Sequence, residues 1–253
     1  MVALSVCIET VDVDFPFENR IERAAAAGAD AIEFWGWQDK DLDSIAVTCD
    51  RAGIELAAML GSDAPLTDPG GTDAAVRDVE RSIERATEVG CPNLIITVGP
   101  EQDDYDRDTQ HDAIVEVLDR VAPTAEDAGI TLCVEPLNTA VDHPEYYLSS
   151  SSEGREIVGA VDSSAVGLLF DIYHQQITEG DVTRGLTESV ETLTHVHIAD
   201  NPGRNEPGTG ELNYEHIISA LLNAGYDDYV GCEFSPVGDD AKAIGRCWDL
   251  LAD

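Results

Sequence analysis

The stretch THVHIADNPGRNEPGTGELNYEHIISALLNAGYDDYVGCEF, residues 194–234, contains one full turn of the chain's repeating plan. It opens on a short β-branched run, THVHIA (194–199), that carries His195 and His197 on alternate positions. A loop follows with two prolines, three glycines, Arg204 and two glutamates. YEHIISALLNAG (214–225) then spaces its apolar residues as one face of a helix and ends on Gly225, a residue type that stops helices. YVGCEF (229–234) is a second strand. Strand, loop, helix, glycine, strand is the unit of a parallel sheet. A solvated turn has no use for His, Asp, Arg and Glu together where a strand becomes a loop. The rim of an active site uses all four.

The same unit repeats outward from that stretch. Apolar, β-branched runs occur at LSVCIE (4–9), AIEFW (31–35), ELAAMLG (55–61), NLIITVG (93–99), TLCVEPL (131–137) and VGLLFD (166–171), which with the two above makes eight. Amphipathic stretches such as ENRIERAAAAG (18–28) and DAAVRDVERSIERATEVG (73–90) lie between them, and Gly28, Gly53, Gly90 and Gly129 mark further helix ends. Eight alternating units in 253 residues predict a (β/α)8 TIM barrel as a single domain over residues 1–253. A doubly wound open sheet is the rival. It would place a Gly-rich phosphate loop after its first strand, and CIETVDVDF has none. DAPLTDPGGTD (63–73) and DHPEYYLSSSSEG (142–154) read as loops, not as linkers.

Composition narrows the partners. The net charge is -37, from 51 acidic and 14 basic residues, and only Lys40 and Lys242 are lysines. Such a field repels nucleic acid and anionic membranes, so neither is expected as a partner. The acid is spread over the helical segments and not gathered in a tail, which suits a halophilic surface. MVALSVCIETVDVDF lacks a basic leader and a long apolar stretch, and no apolar run spans a membrane, so a soluble cytoplasmic protein is expected. The six cysteines form no CxxC pair and read as reduced, mostly buried thiols. Nothing here fixes whether the chain forms a homo-oligomer.

Ionisable residues collect at the C-terminal ends of the later strands, where a barrel of this kind puts its active site. Glu135 ends the fifth strand, Asp171 the sixth, His197 lies on the seventh and Glu233 on the eighth. Each follows an apolar run, where a charge is costly unless paired or metal-bound. Three carboxylates and one imidazole suit a hard divalent ion, Mg2+ or Mn2+. Taken singly, Asp171 also reads as a helix cap, Glu135 as a solvated strand end, His197 as a core histidine and Glu233 as a rim partner of an arginine. His195 points the same way as His197 but one layer deeper, as support. His174 follows Asp171 by three residues. Arg204, in a chain so poor in cations, has two readings: a clamp on a substrate carboxylate, or a surface partner of Glu206 or Asp200.

EPLN (135–138), FDIYHQQ (170–176), HVHIADNPGRNEPGTGELNY (195–214) and GYDDYVGCEFSP (225–236) resemble the hydroxypyruvate isomerase family, within the sugar isomerase/epimerase group of xylose-isomerase-like barrels. DAIEFWGW (30–37) and PLTDPGG (65–71) fit the same group, so the resemblance covers nearly the whole chain. It implies that Glu135, Asp171, His197 and Glu233 hold the metal and that Glu135 and Glu233 are the acid/base pair. It places His174 and Arg204 toward substrate. Glu33 and Trp35 are expected as further substrate-binding residues and, with Trp37 after the second strand, as a wall that keeps water out; for the tryptophans the alternative is helix-to-barrel packing. Ketohexose epimerases of the group carry a further substrate-binding Glu six residues after the first metal Glu. Here that position is Val141, and Arg204 stands farther from the metal histidine than their arginine does. Xylose isomerase proper needs two metals and a site lysine, and neither Lys40 nor Lys242 ends a strand. The related DNA-repair endonucleases need a His-rich trinuclear zinc site.

The expected reaction converts hydroxypyruvate to tartronate semialdehyde through an enediolate. The alternatives are isomerisation or epimerisation of a larger keto sugar or keto acid on the same site, and a non-catalytic barrel that binds a sugar acid. The dispersed acidity makes its own prediction. The melting temperature should rise between about 0.1 M and about 2 M KCl, as the Debye length contracts from about 10 Å to below about 3 Å. A flat profile would exclude the halophilic reading.

Overall fold

The computed structural model describes residues 2–252. Eight strands close into a parallel barrel in chain order: β1 (Ala3–Cys7), β2 (Ala31–Phe34), β3 (Glu55–Leu60), β4 (Asn93–Ile96), β5 (Thr131–Val134), β6 (Val166–Asp171), β7 (Leu193–Ile198) and β8 (Tyr229–Cys232). Ala3 pairs with Tyr229 and Val6 with Cys232, which joins the last strand to the first. Helices α1 (Phe17–Ala26), α2 (Leu42–Ala52), α3 (Thr72–Val89), α4 (Arg107–Ala128), α5 (Ser151–Val161), α6 (Ile172–Thr178), α7 (Val182–Glu188), α8 (Tyr214–Asn223) and α9 (Asp240–Ala252) surround it. The predicted (β/α)8 TIM barrel is the observed fold. No helix among the described residues is long and apolar enough to cross a membrane.

Local chemistry explains the boundaries. Side-chain oxygens of Asp41, Asp106, Ser150, Asp171 and Asn213 accept from backbone N–H groups in the first turns of α2, α4, α5, α6 and α8. Gly53, Gly90 and Gly129 close α2, α3 and α4 with φ of 68°, 71° and 69°, which a β-carbon would resist. The strands are shorter at the mouth than their apolar runs predict. Residues 135–137, 98–99 and 233–234 stay buried but leave the ladder, because the chain there turns into the loops above the barrel. All six cysteines are buried and unpaired.

Two irregularities set which side chains enter the barrel. The β2–β3 ladder skips Ala57, pairing Ile32 with Leu56 and Glu33 with Ala58. The β6–β7 ladder skips Thr194, pairing Leu168 with Leu193 and Leu169 with His195. An extra residue of this kind re-aims the side chains beyond it, here His195 and His197. Gly167 makes room for it: a β-carbon there would meet Thr194 Oγ1 at 2.6 Å and Thr192 O at 2.9 Å. Gly167→Ala should therefore destabilise the chain by about 1–3 kcal/mol, lowering Tm by about 2–4 °C for each kcal/mol. Gly159, on an open face of α5, has nothing within 4 Å of an added β-carbon. Gly159→Ala should stabilise by about 0.5–1 kcal/mol. Thermal melts of the two variants read both, and an unchanged Tm for Gly167→Ala would remove the steric argument.

Candidate active site

The four residues at the ends of β5 to β8 converge. Ligand atoms of Glu135, Asp171, His197 and Glu233 all lie within 4.8 Å of one another, and all four residues are buried. His197 is the hub: its Nδ1 stands 3.3 Å from Glu135 Oε1, 3.3 Å from Glu233 Oε2 and 4.0 Å from Asp171 Oδ2. Asp171 does two jobs. Its Oδ1 accepts from His174 N at 3.0 Å and caps α6, while its Oδ2 is buried with no hydrogen-bond partner. An unpartnered buried carboxylate oxygen beside two more carboxylates and an imidazole fits a hard divalent ion, which these four residues would hold.

The site's charges respond to this crowding. Burial alone would pull the His197 imidazole down, but Glu33 and Glu233 beside it hold it well above its ordinary value. Burial pushes Asp171 up to about 6, against the pull of Arg204 and His197. His174 goes the other way: burial, then the Arg204 charge, take it down to about 4, so it is a neutral imidazole at physiological pH. Its tautomer is set by its neighbour. The Asn138 backbone N–H donates to His174 Nδ1 at 3.2 Å, which leaves the ring proton on Nε2. That Nε2 is buried, has no hydrogen-bond partner, and lies 3.7 Å from Asp171 Oδ2.

Arg204 reaches the same place from the loop after β7. Its Nη2 donates to Glu233 Oε2 at 2.6 Å and lies 3.7 Å from Asp171 Oδ2, with the guanidinium 5.2 Å from the centre of the Tyr173 ring. The surface pairing with Glu206 or Asp200 is absent from its side chain; only its backbone N–H goes to Asp200 O, at 3.1 Å. Asp200 is the loop's organiser, a role that side-chain identity did not announce. One carboxylate accepts backbone N–H groups from Asn201, Gly208, Gly210 and Leu212 at 2.8–3.2 Å and folds the loop back over the mouth. The available signal was an aspartate with closely spaced glycines after it, since a β-carbon at Gly210 would meet Asp200 Oδ1 at 2.5 Å.

Of the expected wall, the structure keeps one member at the mouth. Trp35 is half exposed there and its Nε1 donates to Glu233 Oε1 at 2.8 Å. Trp37 is turned away and packs toward α3, donating to Ser82 Oγ at 2.9 Å. Glu33 lies deeper than the wall expected of it: it is 1% exposed, on β2 opposite Ala58, inside the barrel with its Oε1 3.1 Å from His197 Nε2. Val141, where a ketohexose epimerase would carry its extra glutamate, is exposed. Asn138, Asp142 and Tyr173 were not foreseen: Asn138 Nδ2 donates to Asp142 Oδ2 at 2.7 Å beside His174, and the Tyr173 ring lies under Arg204.

Likeness to known proteins bears on this geometry. The model of the xylose isomerase-like TIM-barrel family matches residues 21–248. A protein of Cupriavidus necator named 2-oxo-tetronate isomerase is 30% identical, over 90% of this chain and 91% of its own. Hydroxypyruvate isomerase of Escherichia coli is 28% identical, over 93% and 94%. Among solved structures, one titled AP endonuclease, family 2, from Brucella melitensis superposes with a TM-score of 0.91 at 29% identity, covering 98% of this chain and 99% of that one. The D-psicose 3-epimerase of Clostridium cellulolyticum, at 0.80 and 21% identity over 99% and 91%, shares the fold. The matched barrel and the relatives named for isomerase chemistry agree: the chain is an isomerase and belongs to the xylose isomerase-like TIM-barrel family.

Proposed function

We propose that this barrel isomerises a short 2-keto acid carrying a hydroxyl on the adjacent carbon, with hydroxypyruvate, converted to tartronate semialdehyde, as the simplest case. The observation that supports this most is the meeting of two glutamates, a neutral histidine with its N–H turned inward, and an arginine around one buried point. Hydroxypyruvate and 2-oxo-tetronate both have a carboxylate, a ketone and a neighbouring C–OH, so one site can serve either. A divalent ion, Mg2+ or Mn2+, held by Glu135, Asp171, His197 and Glu233 would supply Lewis-acid polarisation of the ketone and hydroxyl oxygens.

The chain's own groups divide the remaining work. Glu135 and Glu233 approach from the ends of β5 and β8, each 3.3 Å from His197 Nδ1, so one takes the C–H proton and the other returns a proton to the neighbouring carbon. Trp35 fixes Glu233 by its hydrogen bond. His174 offers its Nε2–H to the enediolate oxygen, where a neutral donor stabilises charge as it develops, and the same nitrogen passes the hydroxyl proton from the C3 oxygen to the C2 oxygen. Arg204 moves from Glu233 to the substrate carboxylate, which it can grip with two parallel hydrogen bonds. The nuclease named in one structural relative's title is a poor guide here, because 51 acidic residues against 14 basic would repel a phosphodiester backbone.

Three outcomes test the proposal. Stripping the protein with EDTA should abolish turnover of hydroxypyruvate, and Mn2+ should restore it. Because the His197 imidazole sits well above its ordinary value, ligation through Nδ1 would require the ring to give up that proton. Affinity for Mn2+ should therefore climb with pH, by about tenfold per unit while His197 is protonated in the metal-free protein, and calorimetry in buffers of different ionisation enthalpy should show proton release. Arg204→Lys keeps the charge and loses the fork. It should cost a keto acid about 1.5–3 kcal/mol in kcat/KM, and a neutral ketose much less. Equal losses on hydroxypyruvate and on a neutral ketose would show that Arg204 organises its loop and does not read a carboxylate.

A further inference from the structure

Directly beneath the four-residue site lies a second group of buried ligand-type side chains, Glu33, His195 and His197 itself. By composition alone, it resembles a second metal site. The shared histidine argues otherwise. His197 turns Nδ1 up toward Glu135 and Glu233 and turns Nε2 down toward Glu33 Oε1, 3.1 Å away but out of line for a hydrogen bond; both atoms are buried and neither has another partner, so each is the one group that can satisfy the other once the ring is fixed. A neutral imidazole has one lone pair and one N–H. A ring that gives its Nδ1 lone pair to an ion above keeps its proton on Nε2, and that nitrogen cannot also ligate an ion below.

The surroundings of Glu33 fit an acceptor held in place. Its Oε2 accepts from Ser5 Oγ at 3.0 Å and faces His195 Nε2, also at 3.0 Å. Gly231 lets the carboxylate and the ring meet: a β-carbon there would lie 2.5 Å from Glu33 Oε1 and 2.8 Å from His197 Cδ2. Separate features of β1 and β8 thus serve one contact.

We propose that Glu33 is a positioning residue: its carboxylate accepts the Nε2–H of His197 and so fixes the ring with Nδ1 presented to a divalent ion in the site above. His195 and Ser5 hold Glu33 from the side away from His197. The inference rests on the metal-dependent reading of the upper site. Outer partners of this type set the tautomer and orientation of metal-binding histidines.

The test is a calorimetric Mn2+ titration of the intact wild type, Glu33→Gln and Asp171→Asn. The amide of Glu33→Gln can present an acceptor to only one of the two histidines and an NH2 to the other. The wild type should bind one ion per chain, and Glu33→Gln should bind one ion about 10- to 100-fold more weakly. Raising Mn2+ should recover much of the activity of Glu33→Gln, which a merely structural defect would not allow. Two ions in the wild type and one in Glu33→Gln would mean a second metal site and overturn the proposal. Unchanged affinity in Glu33→Gln, with affinity lost in Asp171→Asn, overturns this inference while sparing the upper site. No binding by the wild type removes both. A second measurement needs no variant: long-range 1H–15N correlation on the Mg2+-loaded, 15N-histidine protein should place the His197 proton on Nε2, and a proton on Nδ1 would contradict the proposal even if Glu33→Gln did not fold.

Discussion

Three buried carboxylates share one imidazole, and the rest of the structure serves to keep that arrangement together. Glu135, Asp171 and Glu233 leave successive or near-successive strands within 4.0 Å of His197 Nδ1. Like charges this close repel strongly in a low-dielectric interior. In the protein alone, the His197 imidazolium and the Arg204 guanidinium offset them. On the proposed reading, a divalent ion held by the same residues would offset them in its place, and Arg204 would then be available for a substrate carboxylate.

The barrel supplies the ligand set and a loop supplies the arginine. The four polar residues at the ends of β5 to β8 point to the mouth, the skipped Thr194 sets the phase of β7, and Gly167 and Gly231 leave the room that His197 and its neighbours need. Arg204, by contrast, stands on a loop folded around the Asp200 carboxylate and tied to the segment after β8 through Ser235 and Val237. A rigid ligand set below and a pinned but separate loop above suit a site that holds an ion permanently and a substrate in passing. His174 belongs to the rigid part, since Asn138 fixes its tautomer and Asp171 caps its helix.

The barrel and the four converging residues were legible because both rest on period and position. Eight apolar runs separated by amphipathic helices leave few architectures, and a carboxylate or imidazole after a buried run is costly without a partner. Glu33 sits deeper than expected because it stands within β2, one residue before the strand's end, and the alternation of β2 points it into the barrel opposite Ala58. Asp200 looked like a partner for Arg204, because four backbone N–H groups as partners cannot be read from side-chain identity. Trp35 and Trp37 stand two residues apart, yet one reaches Glu233 and the other α3, since β2 ends at Phe34 and both stand on the loop that turns away from it.

The central claim is that two different glutamates handle the proton on either side of an enediolate. It is tested most directly by turning over hydroxypyruvate with the Mn2+-loaded protein in D2O and locating deuterium in the product after quenching and stable derivatisation. With the proton taken by one carboxylate and returned by the other, the C2 hydrogen of tartronate semialdehyde should be deuterium from the first turnover. Substrate protium carried to C2 would indicate direct transfer between the carbons or a single shielded base, and would contradict the account.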